Sequence, residues 1–232
     1  MTLAVAIGNT NIRLGYYKNK LITYEYDNDN FNFETTVKFK KILIASVVPS
    51  LTSTISNKIQ NTTDIIPIII NWQQIPLNVS KYDTKLVGVD RLLSCYGAYK
   101  KYGAPVIVFD FGTANSISIL DKDANFIGGA ILPGVSMGIK ALNVGTALLP
   151  KINTIEATSV IGSDTISCIT SGAIHGTASI VDGMVKKIQN ELGYSCNIIA
   201  TGGMALQILP HCEINKNIIH SPNLLLESMH AL

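Results

Sequence analysis

Charge is scarce in this sequence. Only 15% of its residues are Asp, Glu, Lys or Arg, and the net charge is +2. That balance excludes the clustered basic footprint of a nucleic-acid binder but leaves room for a small anion site. Cysteine is also sparse. Cys95, Cys168, Cys196 and Cys212 are dispersed and form no C-x-x-C pair, so no zinc site is expected. Met1 leads directly into a short strand with no basic leader segment, so we expect reduced thiols and a cytoplasmic protein. His175, His211, His220 and His230 show no metal spacing and adjoin no nucleophile. The longest apolar runs, such as residues 65–70, are far too short to span a bilayer. No membrane or nucleic-acid partner is therefore expected.

Apolar residues are plentiful, at 47% of 232 residues, enough for a substantial core. The chain also says nearly the same thing twice. Ala6-Ile7-Gly8-Asn9-Thr10-Asn11 follows one apolar stretch, and Asp110-Phe111-Gly112-Thr113-Ala114-Asn115 follows another. Each reads as a strand, a glycine turn with short polar side chains, and a returning strand. Such turns present backbone N–H groups to phosphate oxygens. Two copies predict two similar lobes, at 1–104 and 105–232, with one polyphosphate gripped by both.

Residues 2–8, 11–17 and 20–25 read as strands, and the Asn-rich stretch 28–33 reads as a loop. A buried strand is expected at 41–48, and Pro49 can open a helix over 50–60. Another strand falls at 65–70, an irregular stretch at 71–85 and a helix at 89–102. The second half repeats the order, with strands near 105–110, 114–121 and 125–131 and a helix after Pro133-Gly134. From Ile166 to Ile188 apolar residues recur every three or four positions, predicting a long helix with one buried face. Gly172, Gly176 and Gly183 weaken that helix by roughly 1 kcal/mol each relative to Ala, and suit places where a backbone or ligand comes close. A strand at 197–201 and a final helix from about residue 221 complete a mixed α/β chain.

Several motifs occur in one order: Gly8-Asn9-Thr10, Ser46-Val47-Val48-Pro49, Gly88-Val89-Asp90-Arg91, Asp110-Phe111-Gly112-Thr113-Ala114, Gly128-Gly129 with Pro133-Gly134, residues 146–150, and Thr201-Gly202-Gly203. In this the chain resembles the type III pantothenate kinases of the acetate kinase, sugar kinase, Hsp70 and actin superfamily. The resemblance covers almost the whole chain. It implies two ribonuclease H-like lobes, a duplicated actin-like ATPase fold, each a mixed sheet with flanking helices. It further implies a cytoplasmic homodimer with a shared active site, which transfers the γ-phosphoryl group of ATP to pantothenate at the first step of coenzyme A synthesis. Mg²⁺ and a monovalent cation, K⁺ or NH₄⁺, are the implied cofactors.

Through the same resemblance, Ala6, Ile7, Gly8, Asn9, Thr10 and Asn11 match the first ATP loop. Gly112 and Thr113 match the second, and Gly202 and Gly203 match the adenosine turn. Asp90 matches the general base that accepts the hydroxyl proton, as phosphoryl transfer requires. Tyr82, Gly88, Val89 and Arg91 match the pantothenate site, with Arg91 suited to a carboxylate. Thr165 matches a pantothenate contact made across the dimer, and the second lobe is expected to carry the dimerisation helix. Asp110 matches the monovalent-cation ligand. Locally, Asp90 serves equally as a first-turn helix Asp, Asp110 as a turn brace, Thr165 as a helix cap, and the glycine turns as ordinary hairpins.

Two departures stand out. The loop Tyr82-Asp83-Thr84-Lys85 replaces the family's Tyr-x-Asn-Pro, leaving another small-molecule kinase or phosphatase on the same scaffold as an option. Ala6 stands where the family has an Asp that helps hold Mg²⁺. The competing function is thus a non-catalytic nucleotide- or pantothenate-binding accessory protein of the same fold.

Overall fold

The computed structural model describes residues 1–156 and 159–232. The chain runs β1 (Thr2–Ile7), β2 (Asn11–Tyr17), β3 (Leu21–Asp27), β4 (Lys41–Ser46), α1 (Pro49–Thr63), β5 (Ile68–Ile69) and α2 (Val89–Tyr102). It continues through β6 (Val106–Phe111), β7 (Ala114–Leu120), β8 (Phe126–Pro133), α3 (Val135–Gly145) and α4 (Thr165–Leu192). Last come β9 (Asn197–Thr201), α5 (Ala205–Ile208), β10 (Ile218–His220) and α6 (Leu224–His230). Two compact units result: Met1–Lys101 with Asn223–Leu232, and Tyr102–Pro222. The expected division at 104/105 falls three residues later than this one. The tail placed with the second lobe belongs instead to the first unit.

In the first unit the sheet order is β3-β2-β1-β4-β5. The β1–β2 and β2–β3 pairs are antiparallel, while β4 runs parallel to β1 and β5 parallel to β4. β1 is central and buried on both faces, as its near-continuous apolar run requires. One face carries Leu3, Val5, Ile7, Ile12, Leu14 and Ile44 against Ile55 and Ile59 of α1. Phe31, Phe33 and Phe39 enter the same core. The stretch 28–33 is therefore more than the expected polar loop: Phe31 and Phe33 stack at 6.3 Å between ring centroids. The other face has small residues where α6 arrives. A Cβ added to Gly15 would lie 3.0 Å from Leu226 Cδ1, so glycine leaves room for α6 to pack closely on β2. α1 opens on Pro49, whose missing N–H costs nothing at that position, and closes on Asp64 at φ 58°. The strand expected at 65–70 shrinks to Ile68–Ile69, since Pro67 cannot donate to a ladder.

In the second unit the order is β10-β9-β6-β7-β8. The antiparallel β6–β7–β8 meander and the parallel β6–β9–β10 set reproduce the first unit strand for strand. β10 is an element the sequence did not announce. The long helix α4 is capped by Asp164, whose carboxylate accepts from Ser167 N while Ser167 Oγ accepts from Asp164 N. It ends at Gly193 in the left-handed region, φ 77°. Its buried side chains, Ile174, Ala178, Val181 and Val185 among them, pack against Ile107, Phe109 and Ile198 of the sheet. Gly172, Gly176 and Gly183 meet a different environment from the one expected. A Cβ on any of them has no neighbour within 4 Å beyond the helix itself.

All four cysteines are free. Among the described residues no helix is long and apolar enough to cross a membrane.

Candidate active site

In the first unit, residues 8–10 form the turn between β1 and β2, with Gly8 N donating to Asn11 O at 3.0 Å. Asn9 and Thr10 are exposed at its tip. Asn11 opens β2 and its Nδ2 donates to Glu25 Oε1 at 2.5 Å. Ile7 is buried beneath the turn. Ala6, the penultimate residue of β1, is only 6% exposed and sits opposite Arg13 on β2 and Ala45 on β4. Its methyl group has no atom with which to hold a cation.

The second group of predicted residues clusters at the start of α2. Gly88 precedes the helix and Val89 opens it, buried. Asp90 turns back so that its Oδ1 accepts from Arg91 N at 2.8 Å, and a Cβ on Gly88 would collide with that same oxygen. Glycine at 88 thus leaves room for the carboxylate in this rotamer. Burial pushes the Asp90 carboxyl above the ordinary carboxylate range, against the opposing pull of the Arg91 N–H and guanidinium. A carboxylate so raised is a better proton acceptor near neutral pH. The local reading of Asp90 as a first-turn helix residue and the reading as a base are therefore compatible. Arg91 is buried. Its Nη1 donates to Tyr82 Oη at 3.3 Å, and its guanidinium carbon lies 5.9 Å from the Tyr82 ring centroid. Tyr82 thereby orients the guanidinium from the loop whose sequence departs from the family pattern. In that loop Asp83 Oδ1 accepts from Lys85 N at 3.0 Å, which keeps the segment ordered without the Asn-Pro pair.

In the second unit, Gly112 and Thr113 form the turn between β6 and β7. Asp110 is the penultimate residue of β6, opposite Ser116 and Thr201. Gly202 follows β9 at φ 95°, and a Cβ there would lie 2.5 Å from Phe111 N and 2.6 Å from Asp110 Oδ1. The Gly202 turn is thus pressed against the Phe111 backbone and the Asp110 carboxylate. Gly203 is exposed beside it, and Met204 N ties the turn to Phe111 O at 3.2 Å. The structure so brings Asp110, Gly112, Thr113, Gly202 and Gly203 together. It adds Gly134, which the motif series noted without a role. Gly134 N donates to Thr113 O at 3.1 Å, and a Cβ on Gly134 would strike the carbonyl oxygens of both Gly112 and Thr113.

Thr165 is the first residue of α4, exposed, and the cap is Asp164 instead. Thr165 lines an open cleft of about 630 Å³ together with Val135, Ile139, Cys168, Ile169 and Gly172. Pro133 and Gly134 line its other end. Among the described residues no three or more His, Cys, Asp or Glu side chains gather as a metal cluster. The sequence reading missed Asn28, which touches the first turn at two points. Only the strand register, with Asp27 opposite Asn11, would have exposed it.

Duplicated sheets of this order, each with a glycine turn between its first two strands, define the actin-like fold class. Solved structures agree. A Campylobacter jejuni protein of the Baf family superposes with a TM-score of 0.65 at 21% identity, over 99% of this chain and 96% of that one. An archaeal actin homolog in complex with ADP superposes at 0.50 and 10% identity, over 98% and 96%. At these identities the likeness speaks for the fold alone. The family model of the type III pantothenate kinases matches residues 2–187. A type III pantothenate kinase of Sulfurihydrogenibium sp. is 34% identical over 224 residues, 88% of each chain. The chain belongs to the type III pantothenate kinase family.

Proposed function

We infer that this chain is an ATP-dependent pantothenate kinase, which phosphorylates the primary hydroxyl of pantothenate to give 4'-phosphopantothenate, the first step of coenzyme A synthesis. The observation that carries the assignment of roles is the Asp90–Arg91 pair at the head of α2. Asp90 is held above its ordinary pKa by burial, and Arg91 is braced by Tyr82. Asp90 accepts the pantothenate hydroxyl proton as the oxygen attacks the γ-phosphorus. The Arg91 fork holds the pantothenate carboxylate, a geometry to which a guanidinium is suited. Gly8 to Asn11 and Gly112 with Thr113 donate to the ATP phosphates, and Gly202-Gly203 leave space for adenosine. Catalysis of this kind is positioning plus charge neutralisation.

The donor set at the strand end of the second unit fits a monovalent cation. Asp110 puts a carboxylate beside a phosphate-binding turn, and a cation bound there offsets the repulsion between the two. The first unit does not fit a protein-held Mg²⁺ in the same way, because Ala6 supplies no oxygen. No step is routed through Mg²⁺ on this chain's side chains. Exposed apolar side chains of the second unit support a homodimer. Leu142, Val144, Leu148 and Ile161 are 43%, 76%, 92% and 85% exposed, around the cleft that holds Thr165. A second copy covering this face would also meet Gly172, where an added Cβ would have no neighbour within 4 Å beyond the helix itself. A cytoplasmic location suits an ATP-dependent reaction of this kind.

The test is ADP release with and without pantothenate and potassium. Release that requires both supports the reading. ATP and pantothenate binding in calorimetry with no ADP release selects the second reading, a non-catalytic binding protein, which Ala6 alone favours.

A further inference from the structure

The two phosphate turns are held from below by equivalent main-chain bonds. In each unit the residue just after the third strand donates its N–H to the last residue of the turn. In the first unit Asn28 N donates to Thr10 O at 3.2 Å, and in the second Gly134 N donates to Thr113 O at 3.1 Å. The registers correspond, since Asn11 opposes Asp27 and Ala114 opposes Pro133. Beyond that bond the two clamps part. Gly134 packs directly under the carbonyls of Gly112 and Thr113, where no side chain fits. Asn28 stands further off and spans the gap with its side chain, Nδ2 donating to Gly8 O at 3.0 Å. It does so although its own Oδ1 is buried with no hydrogen-bond partner among the described residues.

We propose that Asn28 is a positioning residue for ATP: its backbone N–H and side-chain amide together fix both ends of the first phosphate turn. A turn of three residues with Gly8 at its start has many accessible shapes. Fixing Gly8 O and Thr10 O orients the intervening N–H groups outward before the nucleotide arrives, so the ordering cost is met in the free protein. The second turn needs no such side chain because Gly134 does the work by contact. The inference rests on the reading of residues 8–11 as an ATP loop. It adds that the loop's shape is imposed from the end of β3.

The test compares Asn28→Ala and Asn28→Asp with the native chain and with Thr10→Ala, which alters the loop itself. Asn28→Ala removes the amide donor and keeps the backbone bond. Asn28→Asp keeps the shape but sets a second acceptor against Gly8 O. The measurements are the ATP dissociation constant by calorimetry, KM for ATP and for pantothenate, and the melting temperature. One hydrogen bond of this kind corresponds to a weakening of about five- to tenfold. The expected result is that rise in ATP Kd and KM for Asn28→Ala, a larger one for Asn28→Asp, and an unchanged pantothenate KM. The proposal is overturned if ATP Kd is unchanged in Asn28→Ala while Thr10→Ala weakens it. It is equally overturned if both KM values rise together as the melting temperature falls, the mark of a merely structural residue. If Thr10→Ala also leaves ATP binding unaltered, the ATP-loop reading itself fails and takes the proposal with it. Should Asn28→Asp not fold, Asn28→Ala decides alone.

Discussion

The two units share a sheet order and differ in what hangs from it. In the first, β3 and β4 are joined by residues 28–40, which contain no α-helix. In the second, the equivalent connection carries α3 and the 28-residue α4. The penultimate position of the first strand is Ala6 in one unit and Asp110 in the other, with equivalent strand neighbours on both sides. The turn that follows is tied by a side chain from Asn28 in one and packed on a bare glycine in the other. One backbone plan thus serves two chemistries. In the proposed kinase the first unit supplies the Asp90–Arg91 pair at the head of α2, and the second supplies the Asp110 carboxylate beside a glycine turn.

The sharpest way to break this division of labour is Asp90→Asn. General-base loss costs about 10²–10⁴-fold, so pantothenate-dependent ADP release should fall by at least about a hundredfold with no loss of thermal stability. The sign of the pH effect follows from the raised carboxyl. Asp90 must be ionised to act, so activity is lost as pH falls through a pKa above the ordinary carboxylate range. The same shift means that ionising Asp90 on raising the pH costs the folded state stability, a cost Asp90→Asn removes. A profile whose acid limb lies at ordinary carboxylate pH would contradict the desolvated environment.

Next in size is Gly134→Ala. The new methyl has only the Gly112 and Thr113 carbonyls to meet, and overpacking of this sort costs about 1–3 kcal/mol. Thermal unfolding should show that loss together with weaker ATP binding. Glycine at the equivalent residue 28, by contrast, should be well tolerated for folding. Asp110→Asn should lower activity about 10–100-fold, in line with loss of a cation partner, and abolish the response to potassium. An undiminished potassium response would move the cation elsewhere. The smallest effect expected is a gain. Ala6→Asp restores the carboxylate that the second unit already has at this position, and should raise turnover about tenfold. An unchanged rate would show that Ala6 is no defect.

Much of this was legible in the residues, for identifiable reasons. The two glycine turns, the strand meanders and the long helix α4 depend on local pattern, and local pattern is what a sequence displays. Residues 88–91 stood out as a motif, though the closeness of Gly88 to the Asp90 carboxylate needed coordinates. Elements decided by distant partners were not legible. Phe31 and Phe33 lie in an Asn-rich stretch, and only the α1 core draws them inward. β10 is three residues long and exists because β9 offers it an edge. The tail reads as part of the second half because it follows it in sequence. Leu224, Leu226 and Met229 are instead buried with the first unit, where Gly15 admits α6. Asn28 was hidden for the same reason: its partners are residues 8 and 10, far from it in sequence.

We propose that the glycine turns bind the ATP phosphates and that Asp90 faces the acceptor alcohol. A crystal structure with a non-hydrolysable ATP analogue and pantothenate tests it most directly. The account expects the phosphates within hydrogen-bond distance of residues 8–11 and 112–113, with the Asp90 carboxylate against the primary hydroxyl. Phosphates bound away from either turn, or pantothenate seated with its hydroxyl remote from Asp90, would contradict it.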